Sequence, residues 1–196
     1  MSPVTKFSDL DLNKVYTYAD YLTWQFDERV ELIKGFIRKM SPAPSRKHQV
    51  VSSNLHGHFF ATFKNHSCNL FHAPFDVRLP VATKKKNSTV VQPDICIIRD
   101  KNKLDDKGCN GSPDLIVEII SVNNSKHDVD TKFRFYEEAG VKEYWIVFPE
   151  EKFVNLYYLE NNKFIGMKPF TEGETLQSKA FENLKINVVD VFENID

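Results

Sequence analysis

The chain has 196 residues, 41% of them hydrophobic and 27% charged, and a net charge of −1. That length suits one domain, residues 1–196, burying roughly 70% of its unfolded surface, and the 16 Phe supply a packed core. A pI near 6.6 excludes a surface coated in base to grip nucleic acid, though not a local basic groove.

No apolar run approaches the ~18 residues needed to span a bilayer. The start, Met1-Ser-Pro-Val-Thr-Lys, lacks the pattern of a signal peptide. Cys68, Cys96 and Cys109 are odd in number and unevenly spaced, which argues against a disulfide framework and for a reducing cytoplasm.

In chain order, Thr17 is an N-cap with Asp20 three residues on, so a helix starts near Tyr18. Residues 31–40 read as two short strands turning at Gly35. Ser41-Pro-Ala-Pro-Ser45 is a loop that delivers Ser45 as N-cap to a helix over His48–Phe63, with Val50, Val51, Asn54, Leu55, His58 and Phe59 inward. Phe71–Val81 and Val90–Ile98 read as strands around a basic loop, Ala82–Thr89. Asp100–Ser112 reads as a mobile polar loop. A strand over Leu115–Ile120, a turn over Ser121–Ser125 and a helix over Lys126–Ala139 stopped by Gly140 follow. Lys142–Phe148 is a further strand, Lys152–Leu159 and Lys163–Phe170 form a hairpin, and Leu184–Val191 is a last short strand or turn. The order indicates an α/β or α+β fold, a central mixed β-sheet flanked by helices.

Asp94 and Glu118 stand inside apolar runs, and a buried carboxylate is costly unless paired or bound to a cation. On neighbouring strands, with Lys132 nearby, they suit a divalent metal such as Mg²⁺ or Mn²⁺ and an activated water, hence phosphodiester cleavage. Glu31 is a third candidate carboxylate. Lys132 suits charge stabilisation and, four residues from Asp128, pairing with it. Each residue also has a plainer reading: Asp94 at a bulge, Glu118 pointing outward, Lys132 on a solvated helix face. Arg46, Lys47, Lys84, Lys85 and Lys86 are candidate phosphate contacts.

These residues resemble the PD-(D/E)XK nuclease superfamily and, within it, the Uma-two family of putative restriction endonucleases. The likeness runs from about Thr17 to Tyr158. It rests on Glu31-Leu-Ile-Lys-Gly35, on Ser41-Pro-Ala-Pro-Ser45-Arg-Lys-His48, and on Val91-Gln-Pro93-Asp94-Ile95. It continues through Pro113-Asp-Leu-Ile-Val-Glu118-Ile-Ile-Ser121, Asp128-Val-Asp-Thr-Lys132, Tyr136, Ala139-Gly140-Val141 and Glu143-Tyr-Trp-Ile-Val147. The resemblance implies a restriction-endonuclease-like core with Mg²⁺ held by Asp94 and Glu118 and with Glu31 as accessory carboxylate. Lys132 stands in for the superfamily lysine that Ile120 replaces. His48 takes a family position near the site, and Asp128 is a further accessory candidate. The resemblance also implies a homodimer acting on double-stranded DNA. Phe148-Pro149 and Lys34 depart from the family pattern without touching these residues.

His56-Gly57-His58, His66, Cys68 and His72 lack the paired spacing of structural zinc sites. Cys96 reads as a small core residue, and no Gly-rich phosphate loop is present. The aromatics Tyr144, Trp145, Tyr157 and Tyr158 read as sheet packing before base stacking. Two readings follow from the sequence: a metal-dependent endonuclease, or a non-catalytic nucleic-acid- or protein-binding module that keeps the fold.

Overall fold

The structure, a computed structural model, describes residues 3–40, 44–81, 88–121 and 126–196, without the side chains of 126–128. A 3-10 turn at Phe7–Asp9 precedes helix α1 (Tyr18–Tyr21), strands β1 (Val30–Ile33) and β2 (Phe36–Lys39), and the long helix α2 (Arg46–Phe63). Six strands follow: β3 (Asn69–His72), β4 (Val77–Arg78), β5 (Val90–Val91), β6 (Ile95–Ile98), β7 (Leu104–Asp105) and β8 (Gly108–Asn110). Then come β9 (Leu115–Ile119), helix α3 (Lys126–Ala139), β10 (Glu143–Phe148), β11 (Phe153–Glu160) and β12 (Lys163–Gly166). The chain closes with β13 (Thr175–Gln177), β14 (Lys185–Asn187) and α4 (Val188–Val191).

Local chemistry explains the punctuation. Thr17 and Asp20 form a reciprocal capping box at α1, and Ser45 Oγ accepts the His48 amide at the start of α2. Lys34 and Gly35 both take positive φ between β1 and β2, the torsions a two-residue hairpin needs. A Cβ on Gly35 would lie 2.8 Å from the Tyr16 carbonyl oxygen, so the turn requires glycine for space as well. After α3, Gly140 N–H bonds the Glu137 carbonyl and Val141 N–H bonds the Tyr136 carbonyl, a Schellman stop.

The mixed sheet has the order β12-β11-β10-β9-β6-β3 and is parallel only between β9 and β10. Helix α3 makes the crossover that a parallel pair requires. A second six-stranded sheet runs β2-β1-β5-β4-β8-β7, and β13 pairs with β14. Alternation divides the mixed sheet's side chains between two cores. Ile95, Ile97, Leu115, Val117, Trp145 and Val147 pack with Val51, Leu55, Phe59 and Phe63 of α2. Cys96, Ile98, Ile116, Tyr144 and Ile146 pack with Tyr136 of α3 and with Val77, Val91 and Cys109 of the second sheet. Each buried aliphatic or aromatic side chain contributes roughly 2 kcal/mol of transfer free energy, which fixes both helices against the sheet.

Four expectations need correction. Val90–Ile98 is two strands in different sheets, because Pro93 cannot donate to a ladder and the chain breaks at Gln92-Pro93-Asp94. Phe71–Val81 is likewise two pieces, β3 and β4, separated at Ala73-Pro74. Residues 100–112 are a 3-10 turn and the β7–β8 hairpin, anchored by buried Cys109 pairing in register with Val77. The tail segment 184–191 holds the expected short strand, β14, but continues into helix α4, and the strand pairs with β13, where no strand was expected. The expected turn at 121–125 falls mostly outside the described residues, as does the loop at 41–43. Among the described residues, no helix is long and apolar enough to cross a membrane.

Candidate active site

The break at Pro93 sets Asp94 between the two sheets, where β9 and both long helices meet. Along β9, Leu115, Val117 and Ile119 face α2, so Glu118 faces the α3 side with Ile116. Glu31 comes from the middle of β1, and Lys132 and Tyr136, four residues apart, project from one face of α3. His48 comes from the first turn of α2.

These side chains form one connected cluster. Lys132 Nζ lies 3.0 Å from Glu118 Oε1 and 3.2 Å from Glu31 Oε1. The Tyr136 hydroxyl donates to Glu118 Oε1 at 2.6 Å. Glu31 Oε1 also accepts the Gln92 amide at 2.9 Å. Asp94 Oδ2 accepts the Ile119 amide at 2.8 Å and lies 3.2 Å from His48 Nε2. A carboxylate oxygen only accepts, so Nε2 carries the hydrogen of that contact and Nδ1 is left buried without a hydrogen-bond partner. Asp94 and Lys132 keep 20% of their side-chain surface exposed, against 7% for Glu31 and 10% for Glu118 and His48, so the cluster opens to solvent past Asp94 and Lys132.

Three carboxylates against one ammonium leave an excess of negative charge in a dry place. Burial pushes the Glu118 carboxyl up to about 7; Lys132 opposes that rise, and the charges of Asp94 and Glu31 add to it. Burial opposes the charge on Lys132, yet Glu118 and Glu31 outweigh it and hold the ammonium above its usual range. Burial, then the Glu118 and Glu31 charges, push the Tyr136 phenol well up, so it stays a donor. The donor set fits a divalent cation. Asp94 Oδ1 and Glu118 Oε2 stand outside these bonds, and Mg²⁺ takes one or two protein carboxylates with water or phosphate filling the rest. Among the described residues no three His, Cys, Asp or Glu side chains form a ready-made metal cage.

Asp94, Glu118, Lys132, Glu31 and His48 are therefore brought together. Arg46 and Lys47 turn elsewhere: Arg46 Nη2 donates to the Ile195 carbonyl at 2.8 Å, and Lys47 pairs with Glu150 at 2.5 Å. Lys84, Lys85 and Lys86 and the Asp128 side chain lie outside the described residues, and Lys132 takes Glu31 and Glu118 as its ion-pair partners. Sequence reasoning assigned no role to the Tyr136 hydroxyl, although its spacing from Lys132 on a helix was the available signal. It also missed Gln92. The Gln92 side chain donates to Asp76 at 2.9 Å and Tyr21 at 3.3 Å and accepts from Arg29 at 3.0 Å, tying α1 to the strand break.

Two further buried carboxylates are structural. Asp114 accepts the Arg99 amide and pairs with Lys142; burial opposes its charge, but these partners hold its carboxyl below the ordinary range. Glu143 accepts Trp145 Nε1, Ser178 Oγ and the amides of Lys179 and Ala180, pinning the chain after β13 against the mixed sheet.

Comparison with known proteins identifies the family and the fold. A sequence model of the family described as Uma2, putative restriction endonuclease, matches residues 18–189 and so includes the whole cluster. A solved structure described as a putative nuclease belonging to DUF820, from Anabaena variabilis, superposes with a TM-score of 0.72 at 20% identity. The match covers 91% of this chain and 98% of that one, and at such identity it shows a shared fold. No curated protein matches the sequence.

Proposed function

Since the chain belongs to the Uma2 family of putative restriction endonucleases, we propose that it is a metal-dependent endonuclease that hydrolyses phosphodiester bonds in double-stranded DNA. The observation that carries this reading is the buried cluster in which Lys132 bridges Glu31 and Glu118 beside Asp94. A protein that used the fold only to bind would gain nothing from keeping three carboxylates at such a desolvation cost.

Asp94 and Glu118 would hold the Mg²⁺ or Mn²⁺ ion. When bound, the ion polarises the scissile phosphate and makes its water a nucleophile near neutral pH. Glu31 orients Lys132 and adds the accessory negative charge that a cation offsets. The Lys132 ammonium, at the open side of the cluster, lies where it stabilises charge gathering on the phosphate as the new P–O bond forms and the bond to the leaving oxygen breaks. His48 and Asp128 are accessory. The basic segment around Lys84, Lys85 and Lys86 supplies contacts to backbone phosphates. A homodimer would present two such centres, one for each strand. The free thiols of Cys68, Cys96 and Cys109 suit a cytoplasmic setting.

Nicking of supercoiled plasmid tests the proposal. Wild type with Mg²⁺ or Mn²⁺ is expected to nick, and EDTA, Asp94→Ala and Lys132→Ala are each expected to abolish it. Salt-dependent DNA binding without cleavage, unchanged in Asp94→Ala, supports the binding-module reading instead.

A further inference from the structure

We propose that His48 and Tyr136 are positioning residues that clamp one oxygen of each candidate metal-binding carboxylate, so that the second oxygen is the one presented to a cation. This rests on the divalent-cation reading above and adds to it how the protein prepares the donor set.

The geometry is matched on the two sides. Asp94 Oδ2 is held from two directions, by the Ile119 amide at 2.8 Å and by His48 Nε2 at 3.2 Å. Glu118 Oε1 is also held twice, by the Tyr136 hydroxyl at 2.6 Å and by Lys132 Nζ at 3.0 Å. Among the described residues these bonds use Oδ2 and Oε1 and leave Oδ1 and Oε2. A carboxylate held through one oxygen cannot rotate freely, and its remaining oxygen is fixed in direction. Such outer partners orient ligands for many metals, and their loss weakens metal binding roughly 10- to 100-fold.

Neither residue is placed to touch substrate. Tyr136 has no exposed surface, and the His48 side chain is nine-tenths buried. His48 is also held at a cost. Its Nδ1 is buried with no partner, so the bond from Nε2 to Asp94 is what the imidazole offers in return. His56, on the same helix, has an equally unpartnered Nδ1 but packs against His72 and Phe60 and, among the described residues, bonds neither Asp94 nor Glu118, so it serves as a control.

The test is Mn²⁺ affinity of the full chain, read from free Mn²⁺ by electron paramagnetic resonance, with thermal unfolding in EDTA recorded alongside. Tyr136→Phe removes one oxygen and fills the same space. It is expected to raise the Mn²⁺ Kd roughly tenfold or more, as is His48→Leu. His48→Gln, which returns an N–H donor, is expected to recover most of that loss, and His56→Leu to leave the Kd unchanged. Wild-type Kd in Tyr136→Phe and His48→Leu, with only the melting temperature lowered, overturns the proposal while the cation reading stands. Absence of Mn²⁺ binding by wild type overturns both. Loss of binding in Asp94→Asn upholds the cation reading by itself.

Discussion

The backbone N–H of Ile119 donates to Asp94 Oδ2 at 2.8 Å, tying the carboxylate at the strand break to the residue beside Glu118. Two carboxylates, one just before β6 and one on the neighbouring strand β9, are thereby kept in fixed relation by a backbone bond that, on β9, only proline at position 119 would remove. The consequence is a difference between two replacements. Asp94→Asn keeps an acceptor oxygen for Ile119 and His48, whereas Asp94→Ala strands both donors, at about 1–3 kcal/mol for each buried group left unpaired. Urea denaturation is expected to show Asp94→Ala clearly less stable than Asp94→Asn, while both lose nicking. Equal stability of the two would mean that the bond contributes nothing.

Lys132 is the only cation in the cluster among the described residues, so its removal leaves buried carboxylates facing one another. Lys132→Met is expected to cost about 3–5 kcal/mol, the usual penalty for breaking a buried pair. Adding Glu118→Gln is expected to return part of it, because the uncompensated charge goes too. A double-mutant cycle by chemical denaturation in EDTA checks this; additive losses would show that the two groups do not interact.

Burial, more than its neighbours, sets the pH behaviour of Glu118, whose carboxyl rises to about 7. A carboxyl with a folded pKa above its unfolded one favours the native state most at low pH. That contribution is complete below about 4.5 and is lost as pH rises through 7. Lys132, raised in the folded state, keeps its contribution through this window and loses it only in strong alkali. Metal-free wild type is therefore expected to lose stability from pH 5 to 7.5 relative to Glu118→Gln. Mn²⁺ binding is expected to strengthen over the same range as the competing proton leaves. Denaturation curves in EDTA and Mn²⁺ titrations at several pH values read the two effects. A pH-independent difference between the proteins would contradict the assignment.

Glu143 is a buried acid outside the cluster: it accepts four hydrogen bonds and belongs to the packing of the C-terminal segment. Glu143→Ala leaves the Trp145 indole and two amides without their acceptor and is expected to cost about 3 kcal/mol or more. Its Mn²⁺ affinity is expected to remain that of wild type under conditions where it is folded. Weakened metal binding in that state would place Glu143 in the site.

Asp94 and Glu118 drew notice because a charge inside an apolar run needs a partner, whereas Lys132, on a polar helix, entered only as a nearby lysine and through the family resemblance. The break at Pro93 was equally legible in principle, since proline has no amide for a central strand. What pattern could not reach was tertiary choice. Nothing local says that Arg46 reaches the Ile195 carbonyl or that Lys47 meets Glu150, because those partners come from the far end of the chain. The clamp on Glu118 falls between the cases. The spacing of Lys132 and Tyr136 put both on one helix face, but which carboxylate they share depends on how β9 lies against α3. The hairpin at 104–110 was masked by its polarity, and its anchor, Cys109, is buried by pairing with β4.

The most direct test of the central claim is anomalous diffraction from crystals soaked in Mn²⁺. A peak is expected at Asp94 and Glu118 in wild type, and none there in Asp94→Asn. A wild-type crystal with no peak at these carboxylates, or with its Mn²⁺ held elsewhere, would contradict it.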